Sequence, residues 1–166
     1  MKIIGFSRIG TEVQMVLKGD SSLLVNRKPF FIPDWSSDVR MTPCVVIRVS
    51  RLGKHVGARF ASRYYDAVAP GLNMQAADMV AQGMWTEGWA FDYSLVVGQF
   101  VSPEWLGEHS LLITADEAIE RVSKVMTIRQ GDMIYIDCQA DARRLVPEEE
   151  ISVQKENNEL LYCKIK

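Results

Sequence analysis

The sequence predicts a mainly β fold of the α+β class. Short β-prone runs recur along the chain, clusters of Gly, Pro, Asn and Asp interrupt them, and only two segments carry helical spacing. With 48% hydrophobic and 24% charged residues, the 166 residues are expected to form one domain spanning 1–166.

Lys2 to Phe6, Gln14 to Lys18 and Ser22 to Val25 read as short strands. Asn26-Arg27-Lys28-Pro29 reads as a turn and Phe30-Phe31-Ile32 as another short strand, before a loop over Pro33 to Asp38. Cys44 to Val49 is β-branched and reads as a buried strand. The period then changes. Phe60, Tyr64 and Val68 lie four apart, with Arg59 and Arg63 on another face, which predicts a helix from Gly57 to Val68 ended by Pro70-Gly71. Ser94 to Val101 and Leu111 to Ile113 read as strands. Thr114-Ala115-Asp116-Glu117 matches a capping box, in which the Thr hydroxyl accepts from the Glu117 amide. It predicts a second helix from Asp116 to about Val125, with Ala118, Ile119, Val122 and Val125 on its apolar side. Gln130-Gly131-Asp132 reads as a turn, and Met133 to Ile136, Ile151 to Gln154 and Leu160 to Ile165 as closing strands, the last two joined by a polar hairpin loop.

A net charge of -2 gives no global attraction to nucleic acid or to an anionic membrane. The apolar run Ser94 to Val101 is too short to span a bilayer, and the N-terminus carries no signal-peptide pattern. A cytoplasmic protein is expected. The three cysteines, Cys44, Cys138 and Cys163, lack C-x-x-C spacing, which fits reduced thiols. His55 and His109 stand at no zinc-site spacing from them.

Candidate chemistry is sparse. Asp34, Asp38, Asp66 and Asp78 are scattered acids, each placed where a solvated carboxylate is ordinary. Ser21 and Ser22 beside Asp20 lack a nearby base and read as a turn. Cys44 follows a proline and opens an apolar run, as a buried small hydrophobe would. Trp85, Trp89 and Trp105, with Phe91 and Phe100, supply either core or pocket wall. Glu148-Glu149-Glu150 reads as a solvated turn, and no Gly-rich phosphate loop is present.

Several segments, taken in order, resemble the fumarylacetoacetate hydrolase family. They are Met1 to Gly5, Lys18 to Leu24, Lys28 to Asp34, Arg48 to Lys54, Arg63 to Val68, Phe91 to Ser94 running to Gly98, and Met126-Thr127 with Gly131 to Tyr135. Together they cover most of the chain. The resemblance implies a mixed β-roll or β-sandwich with two short helices. It also implies an ancestry among enzymes that cleave, decarboxylate or isomerise small oxo-acids, using magnesium or calcium held by a Glu-x-Glu pair and an Asp on the next strand.

This sequence departs from that pattern where the chemistry lies. The Glu-x-Glu position reads Thr42-Pro43-Cys44, and the Asp position reads Asn73. Of the charged pair ending that segment, Asp78 remains and the Arg is Ala77. A family Lys before the Phe-Asp motif aligns with Trp89, and the family's Thr-Gly-Thr-Pro aligns with Ile136-Asp137-Cys138-Gln139. The family's early segment with its catalytic His and Glu is deleted here, leaving Ser7-Arg8-Ile9-Gly10-Thr11. Each missing carboxylate removes on the order of 4 kcal/mol per unit charge pair at about 4 Å and an effective dielectric near 20. The resemblance therefore implies a degenerate pocket at Thr42, Cys44, Asn73, Asp78 and Trp89, with no catalytic residue and no bound metal cofactor. Three functions stay open. One is an inactive paralogue that binds a ligand or regulates a partner, as a homodimer or with an active paralogue. The second is altered chemistry through Cys44 or Cys138. The third is a metal-dependent hydrolase, decarboxylase or isomerase with an atypical site.

Overall fold

A computed structural model describes residues 1–166. Ten strands form, β1 (Ile3–Ile9), β2 (Glu12–Lys18), β3 (Leu23–Val25), β4 (Val39–Val49), β5 (Tyr65–Ala76), β6 (Leu95–Val97), β7 (Met133–Asp137), β8 (Arg143–Arg144), β9 (Glu150–Lys155) and β10 (Asn158–Lys164). The main sheet runs β2-β1-β7-β4-β5-β6-β3, with β8 beside β4, while β9 and β10 form a separate hairpin. The β1–β7 and β3–β6 pairs are parallel and the others antiparallel, so the sheet is mixed. The α+β expectation holds.

The long hairpin of β4 and β5 positions everything else. Val39 pairs with Ala76, Thr42 with Asn73, and Cys44 with Gly71. β7 joins the other side of β4, placing Asp137 opposite Cys44. Side chains alternate across a strand, so two chemically distinct faces result. One carries Ile4, Phe6, Val45, Ile47, Val68, Ile134 and Ile136, covered by Ala118, Ile119 and Val122 of α3 (Ala115–Val125). Beside them, Met41, Leu72 and Met74 pack under Leu161, Cys163 and Ile165 of the terminal hairpin. The opposite face buries Ile3, Cys44, Val46, Leu95 and Tyr135, and also the polar residues described below. Gly5 serves that face. A Cβ there would stand 1.8–2.3 Å from the Tyr135 ring, so only glycine lets the ring lie over β1.

Of the two predicted helices, α3 forms with the Thr114 hydroxyl accepting from the Glu117 amide at 3.1 Å and with Ala118, Ile119 and Val122 buried as read, but Val125, expected on the same side, ends the helix 66% exposed. The helix predicted over 57–68 does not form. Ala58–Arg63 makes a 3-10 turn and β5 begins at Tyr65. Pairing of Tyr65–Ala76 with the whole of β4 outweighs the four-residue spacing, and Val68 becomes a strand residue. Pro70-Gly71 therefore lies inside β5 and ends nothing. The chain opposite β5 is irregular between Gly98 and Val101, so the missing Pro70 amide breaks no ladder bond.

Other expected strands are shorter. Ser94 to Val101 contributes only Leu95–Val97 and a bridge at Val101, while Leu111 to Ile113 and Phe30 to Ile32 give only bridges at Leu111 and Phe30. β4 starts at Val39, five residues before the predicted Cys44. Two short helices went unread, α1 (Ala77–Ala81) and α2 (Trp85–Trp89). No helix is long and apolar enough to cross a membrane.

Candidate functional site

Thr42, Cys44, Asn73 and Asp137 share one face of β4, β5 and β7 through the register given above. The first three are the residues that the sequence places at the family's metal positions, and the fold does bring them together. Asn73 reaches over β4: its amide nitrogen donates to both Asp137 carboxylate oxygens and to Ser7 Oγ, each at 3.1 Å. All of these side chains are buried, Thr42 least so at 8% exposure.

A lysine enters the same region from the sheet edge. Lys18, at the end of β2, is 1% exposed, whereas its neighbour Leu17 is 57% exposed, the reverse of what their hydropathy would suggest. Register explains it: Lys18 pairs with Ile3 and shares its inward face. Its ammonium donates to the Trp89 carbonyl, to Ser94 Oγ at 2.9 Å and to the Ser94 carbonyl at 3.3 Å, with the Met74 carbonyl at 3.4 Å. It also lies 6.0 Å from the Trp89 ring centroid and 5.7 Å from that of Tyr135. Trp89, at the end of α2, stands where the resemblance expects a lysine, and a lysine from β2 touches that same residue.

The electrostatics follow from burial. Asp137 is pushed up to about 7 by desolvation, against the Ser7 hydroxyl, the Asn73 amide and the Lys18 charge. Lys18 is lowered to about 7 by desolvation, against the attraction of Asp137 and Cys44. Burial first, then the Asp137 charge, raises Cys44 well above an ordinary thiol and pushes Cys138 up to about 11. Raised thiols are poor nucleophiles at neutral pH, although Cys138 lines an open cleft.

A cleft of about 130 Å³ opens onto this cluster, with Arg8, Thr42, Gln75, Trp89, Asp137 and Cys138 in its wall. A second cleft of about 270 Å³ lies between β2 and α2, and Trp89 separates the two. Asn73 Oδ1, Trp89 Nε1 and Tyr135 OH are buried without a protein partner. Asp78 stands apart. It accepts from Ser36 Oγ at 2.6 Å and from the Ser37 amide at 2.9 Å, which lower its carboxyl to about 2. It pins the loop before β4 to α1 and lines neither cleft. Asp38 and Asp66 pair with Arg40 and Arg48. Trp105 is core and Trp85 is half exposed.

The donor set is a poor match for the divalent cation that the resemblance implies. Hard cations take about six to eight oxygen ligands, several of them anionic. Here one buried carboxylate is present, Asp137, already holding the Asn73 amide and acted on electrostatically by a lysine ammonium, while the second carboxylate of the cleft wall, Asp141, is exposed and shares that wall with Arg8. No group of three or more His, Cys, Asp or Glu side chains converges anywhere in the molecule. These residues do not fit such an ion.

The chain matches no protein-family model and no curated protein. Solved structures do match it. Fumarylpyruvate hydrolase from Pseudomonas aeruginosa, determined with Mn2+ and pyruvate, superposes with TM-score 0.85 at 14% identity, over 99% of this chain and 89% of that one. A Yersinia pestis protein provisionally assigned to the fumarylacetoacetate hydrolase family gives 0.84 at 15% identity, over 99% and 92%. The 5-carboxymethyl-2-hydroxymuconate delta-isomerase from Mycobacterium smegmatis gives 0.81 at 18% identity, over 99% and 78%. At these identities the likeness establishes a shared fold.

Proposed function

We propose that this chain is a divergent member of the fumarylacetoacetate hydrolase family that does not carry out metal-dependent cleavage of oxo-acids and uses its cleft to bind a small molecule. One observation carries the reading. At the three positions where the resemblance expects carboxylates, the fold gathers the Thr42 hydroxyl, the Cys44 thiol and the Asn73 amide around a single carboxylate, Asp137. A Lewis-acid mechanism needs a cation held against an open coordination position. Asp137 is instead tied to Asn73, whose amide also donates to Ser7, and Trp89 stands in the wall.

Trp89, whose Nε1 is a buried donor without a protein partner, shares the cleft wall with Arg8, Gln75 and Asp137, a set that suits a small polar ligand. In this reading the protein works in the cytoplasm as a homodimer or with an active paralogue, without magnesium, calcium, nucleic acid or membrane. The test is an assay of the purified protein on acylpyruvate-type substrates with magnesium, calcium and manganese. Rates equal to those of the protein-free reaction are expected. Turnover that depends on added metal would replace this reading with that of an oxo-acid hydrolase with an atypical site.

A further inference from the structure

We propose that the Lys18 ammonium is the resident cation of this site and takes the place of a divalent ion. The inference rests on the reading that the site takes no metal, and it names the group responsible.

The geometry around Nζ is that of a cation cage. Four oxygens converge on one buried ammonium: the carbonyls of Met74, Trp89 and Ser94, and Ser94 Oγ. An ammonium has three donors and no acceptor, so four oxygen acceptors and no donor describe a site built for the charged form. The cage draws on separate parts of the fold, namely the end of β5, the end of α2 and the residue before β6. Burying a lone ammonium is unfavourable unless it is compensated, and two features compensate this one. The aromatic faces of Trp89 and Tyr135 lie within 6.0 Å of the charge. Asp137, the one buried carboxylate of the cluster, adds a counter-charge where it is ionised, above about pH 7.

The consequence is exclusion. A cation entering beside Thr42, Asn73 and Asp137 meets the caged ammonium, which carries its charge below about pH 7. The buried part of the site then holds one ammonium and one carboxylate, with Arg8 and Asp141 as a second pair of opposite charges in the cleft wall, a balance that favours a neutral or singly charged small ligand over a multiply charged metal complex. Lys18 acts as a positioning residue: it sets the field of the site and holds α2, and with it Trp89, against β5.

The test compares manganese binding by calorimetry and by the electron paramagnetic resonance of Mn2+. The proteins are the unmodified one, Asn73→Asp, and Asn73→Asp combined with Lys18→Met. Asn73→Asp supplies a second carboxylate with the ammonium still in place, and the double variant removes the ammonium. Manganese affinity at least tenfold higher in the double variant than in Asn73→Asp is expected. Equal affinities, or no binding by either, overturn the proposal while leaving the functional reading intact. Micromolar binding by the unmodified protein overturns that functional reading itself. Because the methionine leaves the carbonyls of the cage unpaired, a second measurement uses the unmodified protein. In nitrogen-15 lysine spectra at pH 6, Lys18 should give a protonated ammonium signal protected from exchange. A neutral amine signal, or rapid exchange with water, overturns the proposal without any variant.

Discussion

Asn73 and Asp137 lie two strands apart and are joined across β4, the Asn73 amide donating to both carboxylate oxygens at 3.1 Å. The bond closes over Thr42 and Cys44, the register partners of these two residues. It ties β5 to β7 through side chains on the face opposite α3 and fixes the one buried carboxylate of the site.

The pH dependence of stability should report that carboxylate. Burial raises Asp137 from the ordinary carboxylate range to about 7. Between about pH 4 and 7 the folded state therefore holds a proton that the unfolded state releases, and stability falls as pH rises through this window. Lys18, lowered to about 7, acts in the opposite sense above that pH, where the unfolded state holds the extra proton. Asp137→Asn lacks the acid-side slope. A proton held only by the folded state changes stability by about 1.4 kcal/mol for each pH unit crossed. Urea unfolding at pH 4.5 and 7 should therefore show the unmodified protein losing up to a few kcal/mol that the variant keeps. Parallel profiles for the two proteins would rule this out.

Gly5→Ala should be destabilising by about 1–3 kcal/mol or more, because the new methyl collides with the Tyr135 ring. Thermal unfolding of the variant checks it. An unchanged midpoint would mean that the ring moves aside freely.

Thr114→Ala removes the hydroxyl that accepts from the Glu117 amide at the start of α3. Loss of such a cap typically costs about 1 kcal/mol. A melting-point drop of about 2–4 °C is therefore expected in a chain of this size.

Cys138 should resist alkylation at pH 8. With its thiol pushed up to about 11, the thiolate fraction is about a hundredfold below that of a free cysteine. Cys44, fully enclosed and raised further, should label only on unfolding. Labelling of either at the rate of free cysteine would support the thiol-based alternative.

Where the sequence was informative, the signal was redundant. The cap and apolar face of α3 agreed with each other, and Thr42, Cys44 and Asn73, singled out by the ordered motifs, stand on one face of the β4–β5 hairpin. Lys18 and Asp137 were missed because each closes a β-prone run, where a charged residue reads as solvated. The available signal was alternation. Asp137 shares its face with buried Tyr135, and Lys18 lies two residues after buried Val16. The segment over 57–68 failed for the opposite reason: Phe60, Tyr64 and Val68 had helical spacing, but β4 supplied a pairing partner that no local window contains.

Metal binding is the property on which the proposed function turns. Titration calorimetry of the purified protein with magnesium, calcium and manganese tests it most directly, since the donors Thr42, Cys44 and Asn73 leave Asp137 as the only buried carboxylate of the cluster. Heats indistinguishable from dilution for all three ions are the predicted result. A saturable isotherm with micromolar affinity, abolished by Asp137→Asn, would contradict the account.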